Sequence, residues 1–420
     1  SLKMTDLLRV DEALKRILAA ITPLPGERVK LLDSLGRALA EDIRAETNLP
    51  PFPNSSMDGF AVRAQDVVGA SPTAPVQLRV TQDIPAGTAP QQVLGPAEAA
   101  RIMTGAPLPP GADAIVPVEK TNGQWTPGSR DSLAPTVQIF TGVKPGDYVR
   151  QMGEDIRSGQ VVLPAGTILR AQEIGVLAAL GYVYVPVTRQ PRVAIVSTGD
   201  ELVEIHEALQ PGKIRDSNSH TLAAQVLSYR GIPLCIPTAK DTLDDVRRRF
   251  REALDQHPDV ILSSAGVSVG AFDVVRTVLE ELGHIEFWRI NLRPGKPLAY
   301  GQLQGIPFFG LPGNPVSAMV TFDIFVRPVV CRLGNRPDRP HMVTAAISED
   351  IQSDGRRSYL RVKLVDEGGQ LVARIATNQS SAVLMSMVQA DGLLIVPEET
   401  TFMPAGTILP VRLLRYVSTT

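Results

Sequence analysis

From Arg192 onward the chain alternates short β-rich apolar runs with segments of helical period, and this restricts it to a sheet flanked by helices. RVAIVST reads as a strand and SHTLAAQVLSYRG as a helix, and Thr242 with Asp245 forms a capping box ahead of Leu243, Val246, Phe250 and Leu254. VILSS is the next strand, FDVVRTVLEELG the next helix, IEFWRINL and IPFFGL are further strands, and PVSAMVTFDIFVRPVV is a long helix. The pattern predicts a doubly wound α/β domain ending near Asn335.

The rest of the chain has other textures, as expected for 420 residues, which are too many for one core. From about Pro50 to Gly153, Pro, Gly and short apolar runs such as VQLRV and DAIVPVE predict a small all-β module. It is read as an insertion, with the helical N-terminus on one flank and GEDIRSGQVVLPAGTILRAQEIGVLAALG on the other. There Ala171 to Leu180 is helix-like and Gly181 is its stop. After Pro340, MVTAAIS, SYLRVKLV, QLVARIA, GLLIVPE and ILPVRLL predict a C-terminal barrel or sandwich.

Leu7, Val10, Leu14, Ile17, Leu18 and Ile21 share one face of an N-terminal amphipathic helix, interrupted by charges as no signal peptide would be. Ser1-Leu2-Lys3 ahead of Met4 fits a cloning remnant. No run approaches the ~20 apolar residues that cross a bilayer, so a cytoplasmic protein without membrane contact is expected. A net charge of -2 supplies no global basic surface for nucleic acid. The two cysteines lie far apart and the five histidines show no ligand spacing, which disfavours zinc.

In an open α/β sheet, ligands bind beyond the carboxyl ends of the strands. Three loops have that address: STGDEL with Ser197, Thr198, Gly199 and Asp200; SSAGVSVGAFD with Ser263, Ser264, Gly266 and Ser268; and LPGNPVSA with Pro312, Gly313, Asn314 and Pro315. Small residues let backbone amides approach a ligand, and Asn314 as cap with Pro315 at the first helical position makes a firm helix start. Neither GxxxxGK[ST] nor GxGxxG is present, which disfavours an ordinary nucleotide triphosphatase or dehydrogenase.

The carboxylates Asp200, Glu201, Asp241 and Asp273 fall just after strands on the same edge, where they suit Mg²⁺ held together with substrate phosphates. The alternative for each is a helix cap or dipole partner, evenly balanced for Asp241 alone, and Asp200 is open between catalytic and structural roles. Arg289 and Arg293, followed by Lys296, place two guanidiniums on one face of a strand, where they could converge on an anion.

SSMDGFAVR, RIMTGAPLP, MGEDIRSGQ, STGDEL, the SSAGVSVG loop, RPGKP and LPGNPVSA occur in this order over nearly the whole chain. The set resembles the molybdopterin molybdenumtransferase family, which includes the E domain of gephyrin. The resemblance implies four parts: a helical and β linker domain over 1–49 and 154–187, an inserted small β domain over 50–153, a central doubly wound molybdopterin-binding α/β domain over 188–336, and a C-terminal β-barrel domain over 337–420.

It also implies insertion of molybdate into adenylylated molybdopterin with Mg²⁺ and release of AMP. The family forms a homodimer in which Asp58 and Thr104 act across the interface. By the same resemblance Arg289, Arg293, Arg356, Ser381, Pro312 and Pro315 contact molybdate, and Glu201, Asp241 and Asp273 serve Mg²⁺ and catalysis. Molybdopterin adenylyltransferase and downstream molybdoenzyme maturation proteins are the implied partners. Three departures stand out: Ala265 where the family has a second Gly, arginine at 289 and 293 where lysine is common, and Ser380 and Ala382 around Ser381. A pterin-binding scaffold without turnover, and an adenylyltransferase sharing the α/β domain, are the competing functions.

Overall fold

The computed structural model describes residues 7–123, 133–264, 271–295 and 297–415. The chain divides into two compact units: Ser1–Val29, Ser34–Ala40 and Pro186–Thr420 in one, Lys30–Asp33 and Glu41–Val185 in the other.

The larger unit is built on a six-stranded sheet in the spatial order Ile232–Cys235, Arg192–Ser197, Val260–Ser264, Ile306–Leu311, Pro297–Leu303, Gly283–Arg289. The first four strands are parallel, and Pro297–Leu303 runs antiparallel to both of its neighbours, Ile306–Leu311 and Gly283–Arg289. Strands covered on both faces need apolar residues at every position, as VAIV and VIL supply. Val193 and Ile195 face one core with Leu222, Val226 and Val320, while Ala194 and Val196 face a second with Val246, Phe250 and Val278. The N-terminal helix Val10–Ala19 buries Val10, Ala13 and Ile17 in the first of these cores.

Two features depart from the sequence expectation. Pro297–Leu303 is a strand between two antiparallel neighbours, where the sequence pattern assigns no element; a first strand position tolerates the missing N–H of Pro297. The long helix contains a π segment, Phe322–Val326, between the α-helical Pro315–Thr321 and Arg327–Leu333. Pro328 has no N–H to donate and crowds the carbonyl one turn back, and a widened turn just before it accommodates both.

The C-terminal strands close on themselves. Arg357–Glu367 pairs with Gln370–Ile375 and with Gly392–Val396; Met342–Ile347 bridges Gln370–Ile375 to Ile408–Leu413, which returns to Gly392–Val396. The result is a five-stranded barrel around Val362, Leu394 and Val411.

In the smaller unit a five-stranded sheet runs in the order Ala114–Pro117, Gly59–Val62, Glu98–Ile102, Val76–Ile84, Thr136–Ile139. The two flanks of this module meet where Ile43–Arg44 pairs with Val161–Leu163. Helix Ala171–Ala179 follows and ends before Gly181 in the left-handed region. Gly59 is required by packing, because a Cβ there would lie 2.1 Å from the Val116 carbonyl oxygen.

Candidate active site

A cleft of about 690 Å³ opens at the carboxyl ends of the parallel strands, and all three predicted loops contribute to it. From the first come Thr198, Gly199 and Glu201. Gly199 has φ +151°, and a Cβ there would stand 2.5 Å from a carboxylate oxygen of Glu201. Asp200 turns away to a structural task. Its Oδ1 accepts from the Asp241 N–H at 3.0 Å, and its own N–H donates to Asp241 Oδ2 at 3.1 Å. This exchange locks the two loops together and leaves Asp241 Oδ1, on a residue that lines the cleft, buried without a hydrogen-bond partner among the described residues. The Thr198 hydroxyl is orphaned in the same way. Buried polar atoms are almost always satisfied, so two orphans at one cleft mark places for ligand groups. Thr242 caps the following helix, accepting from the Asp245 N–H at 3.3 Å, so Asp241 is not needed as a cap.

Sequence reasoning missed the stretch Ile214 to Asn218, which lines the cleft throughout. Helix Ser217–Ser228 starts two residues earlier than its apolar pattern, with Asp216 as cap accepting from the Ser219 N–H at 3.0 Å. The Ser197 hydroxyl lies 2.7 Å from that of Ser219, so Ser197 anchors this helix and does not line the cleft. Asn218 donates at 2.8 Å to both Ser264 Oγ and the Gly313 carbonyl, tying the second loop to the third. The run Asp216-Ser217-Asn218-Ser219 is itself a cap signal, and it would have exposed this edge.

Pro312, Gly313, Asn314 and Pro315 line the far wall. Asn314 occupies the cap position without making the expected side-chain cap bond. The Ser381 carbonyl satisfies the Val316 N–H at 3.0 Å, and the Asn314 amide is released to donate to Ser381 Oγ, also at 3.0 Å. Ser381 is thereby brought from the C-terminal barrel to the cleft, and its neighbour Ala382 joins the lining.

The basic residues are arranged differently from the prediction. Arg289 lies exposed at the end of Gly283–Arg289, whereas Arg293 belongs to a separate strand, Leu292–Arg293, paired to the start of the barrel strand Arg357–Glu367. The chain changes strand between them, so even spacing does not put them on one face. Arg293 instead shares Asp354 with Arg356, at 3.7 and 2.6 Å. Burial is the largest single influence on Asp354 and opposes its ionisation, but the hydrogen bonds from Arg356 and the charges of Arg356 and Arg293 together overcome it and hold the carboxyl below the usual range.

Asp273 sits exposed in the first turn of Ala271–Leu282 and is not among the cleft-lining residues. Gly266, Ser268, Lys296 and the departure at Ala265 lie outside the described residues. Ser263 is buried beneath the cleft. In the smaller unit Asp58 and Thr104 do meet: Asp58 Oδ1 accepts from the Thr104 N–H at 2.8 Å and from its hydroxyl at 2.9 Å.

Among the described residues no group of three His, Cys, Asp or Glu could by itself enclose a metal ion. Glu201 and Asp241 lining one cleft nevertheless fit Mg²⁺, which is commonly bound by one or two carboxylates together with substrate phosphates. No helix among the described residues is long and apolar enough to cross a membrane.

Three family models cover most of the chain: the MoeA N-terminal region (domain I and II) matches residues 8–181, the probable molybdopterin binding domain 194–332, and the MoeA C-terminal region (domain IV) 344–414. Molybdopterin molybdenumtransferase 2 of Mycobacterium tuberculosis is 39% identical over 394 residues, covering 91% of this chain and 94% of that protein. Molybdopterin molybdenumtransferase of Bacillus subtilis is 35% identical over 410 residues, covering 97% and 94%. The crystal structure of the molybdopterin biosynthesis MoeA protein from Pyrococcus horikosii superposes with a TM-score of 0.83 at 32% identity, covering 98% of this chain and 100% of that one. With this agreement over its full architecture, the chain belongs to the molybdopterin molybdenumtransferase (MoeA) family.

Proposed function

We propose that the chain is a molybdopterin molybdenumtransferase that inserts molybdate into adenylylated molybdopterin and releases AMP. The observation that carries this reading is the pair of orphaned oxygens, Thr198 Oγ1 and Asp241 Oδ1, on a cleft whose walls are small residues and two helix starts. A phosphate-bearing substrate has acceptor oxygens for the threonine hydroxyl, and its associated cation a coordination site for the aspartate.

Insertion joins two anions. Molybdate is a dianion, the substrate carries an adenylyl phosphoanhydride, and its two dithiolene thiols must displace one oxide from molybdenum, their two protons leaving with it as water. Arg293 and Arg356, with Arg289 and Lys296, lower the repulsion between them, and Ser381 donates a hydrogen bond to the oxyanion. Asp354 occupies Arg356 in the free protein, so molybdate competes with an internal carboxylate for that guanidinium. Glu201 and Asp241 would hold Mg²⁺, which when bound screens the phosphate charge and polarises the phosphorus–oxygen bond. Glu201 orients the water whose oxygen attacks the adenylyl phosphorus; the phosphoanhydride bond breaks, the bridging oxygen stays on the pterin phosphate, AMP departs with the new oxygen, and the water's proton passes to solvent. Asp273, exposed at the start of helix Ala271–Leu282 and outside the cleft lining, takes no part in this step.

Asp58 and Thr104 are contributed by a second copy of the chain in a homodimer, held ready by their mutual hydrogen bonds. A molybdopterin adenylyltransferase supplies the substrate, and cytoplasmic maturation proteins take the product.

The direct test is Glu201→Ala in single turnover. Adenylyl-molybdopterin binding is expected to persist while AMP release falls by about 10²-fold or more; undiminished release removes Glu201 from the reaction.

A further inference from the structure

A second cavity, of about 340 Å³, lies on the larger unit where the helices Ser217–Ser228 and Arg327–Leu333 meet the C-terminal barrel. Its lining holds four guanidiniums, from Arg327, Arg336, Arg339 and Arg412, against two carboxylates, from Asp323 and Asp338. Those two are already engaged. Asp323 accepts from the Tyr229 hydroxyl at 3.0 Å and pairs with Arg412 at 2.9 Å, and Asp338 pairs with Arg327 at 2.9 Å.

Two positive charges are left over. Arg336 is half-buried, its Nη1 donates to the Tyr229 carbonyl at 3.1 Å, and its Nε is buried with no partner among the described residues. Burial depresses its pKa, and the neighbouring Arg230 adds to the effect. Arg339 stands at the rim without a carboxylate partner among the described residues. A half-buried cation facing a cavity without a counter-charge is costly. A charge excess of two matches a dianion, and guanidinium forks match tetrahedral oxyanions. The remaining wall combines an apolar part, with Met319, Val320, Met387 and Leu413, and polar groups from Gln225, Ser228 and His341, and the volume is several times the ~30 Å³ share of one water.

We propose that this cavity is a second anion site that takes a phosphate-class dianion carried on a small apolar body, held by Arg336 and Arg339. It uses none of the residues of the cleft described above.

The test is calorimetric titration of phenyl phosphate into the full-length protein and its Arg336→Gln and Arg339→Gln variants. The wild type should show a saturable site that each variant weakens by about tenfold, as losing a charge-assisted hydrogen bond requires, while molybdate-dependent AMP release by both variants stays at the wild-type level. Absence of saturable binding overturns the proposal, as does binding unchanged in Arg339→Gln, since the probe would then reside elsewhere. Arg339 is exposed, so its variant decides the matter even if Arg336→Gln fails to fold.

Discussion

Gly199 and Asp354 show how single positions tune the cleft. Alanine at 199 would put a methyl group on the Glu201 carboxylate and strain a backbone that side chains rarely adopt. Gly199→Ala is therefore expected to lower AMP release while leaving thermal unfolding within a few degrees of wild type; unchanged release would show that Glu201 tolerates displacement. Asp354→Asn removes the charge that occupies Arg293 and Arg356. It should lower the half-saturating molybdate concentration, whereas Arg356→Ala should raise it about tenfold, both read from AMP release against graded molybdate. At this scale the sequence is a good guide to residue type and a poor one to partner. Glu201 and Asp241 are legible because they follow strands, and Asp200 is ambiguous until its bonds to Asp241 are seen. The convergence of Arg356 with Arg293 spans more than sixty residues of chain and leaves no local trace.

Among elements, the cleft depends on fastenings between loops. Asn218 supplies both hydrogens of one amide to two different loops, so Asn218→Ala strands the Gly313 carbonyl and loosens the wall carrying Pro312 to Pro315. A loss of about 1–3 kcal/mol in urea unfolding is expected, together with weaker adenylyl-pterin binding. In the smaller unit, Glu173 at the start of helix Ala171–Ala179 accepts from the Arg170 N–H and guanidinium. The side-chain bond from Arg170 prevails over burial and pushes its pKa down to about 2. A depressed folded-state pKa gives stability present above the ordinary glutamate value of 4.5 and lost as pH falls toward 2. Glu173→Gln should therefore narrow the stability difference between neutral and acid solution, measured by denaturant titrations across that window; an identical pH dependence would contradict the assignment. Strand and helix periods reveal most of these elements. They do not reveal the strand Pro297–Leu303, hidden by its first proline, or the π segment, which has no period of its own.

For the whole molecule, the texture changes along the sequence correspond to real architecture: an inserted β module, a doubly wound sheet and a barrel. The barrel's closure was open between two shapes until the pairing of Arg357–Glu367 with Gly392–Val396 was seen, because closure is a property of first and last strands together. Which core the N-terminal helix joins is equally hidden in the sequence, since an amphipathic face does not say what covers it. The proposed dimer makes its own prediction. Asp58→Ala and Glu201→Ala protein should each be inactive alone, yet unfolding and refolding them together should restore about one quarter of wild-type turnover if the site is shared between copies; no restoration would place each site within one chain.

The most direct test of the central claim is AMP release from the purified protein supplied with adenylylated molybdopterin, Mg²⁺ and graded molybdate. The account predicts release that rises with molybdate and saturates, with molybdenum recovered on the pterin in equal amount. Tight binding of the pterin with no AMP released at any molybdate concentration would contradict it and identify the chain as a carrier.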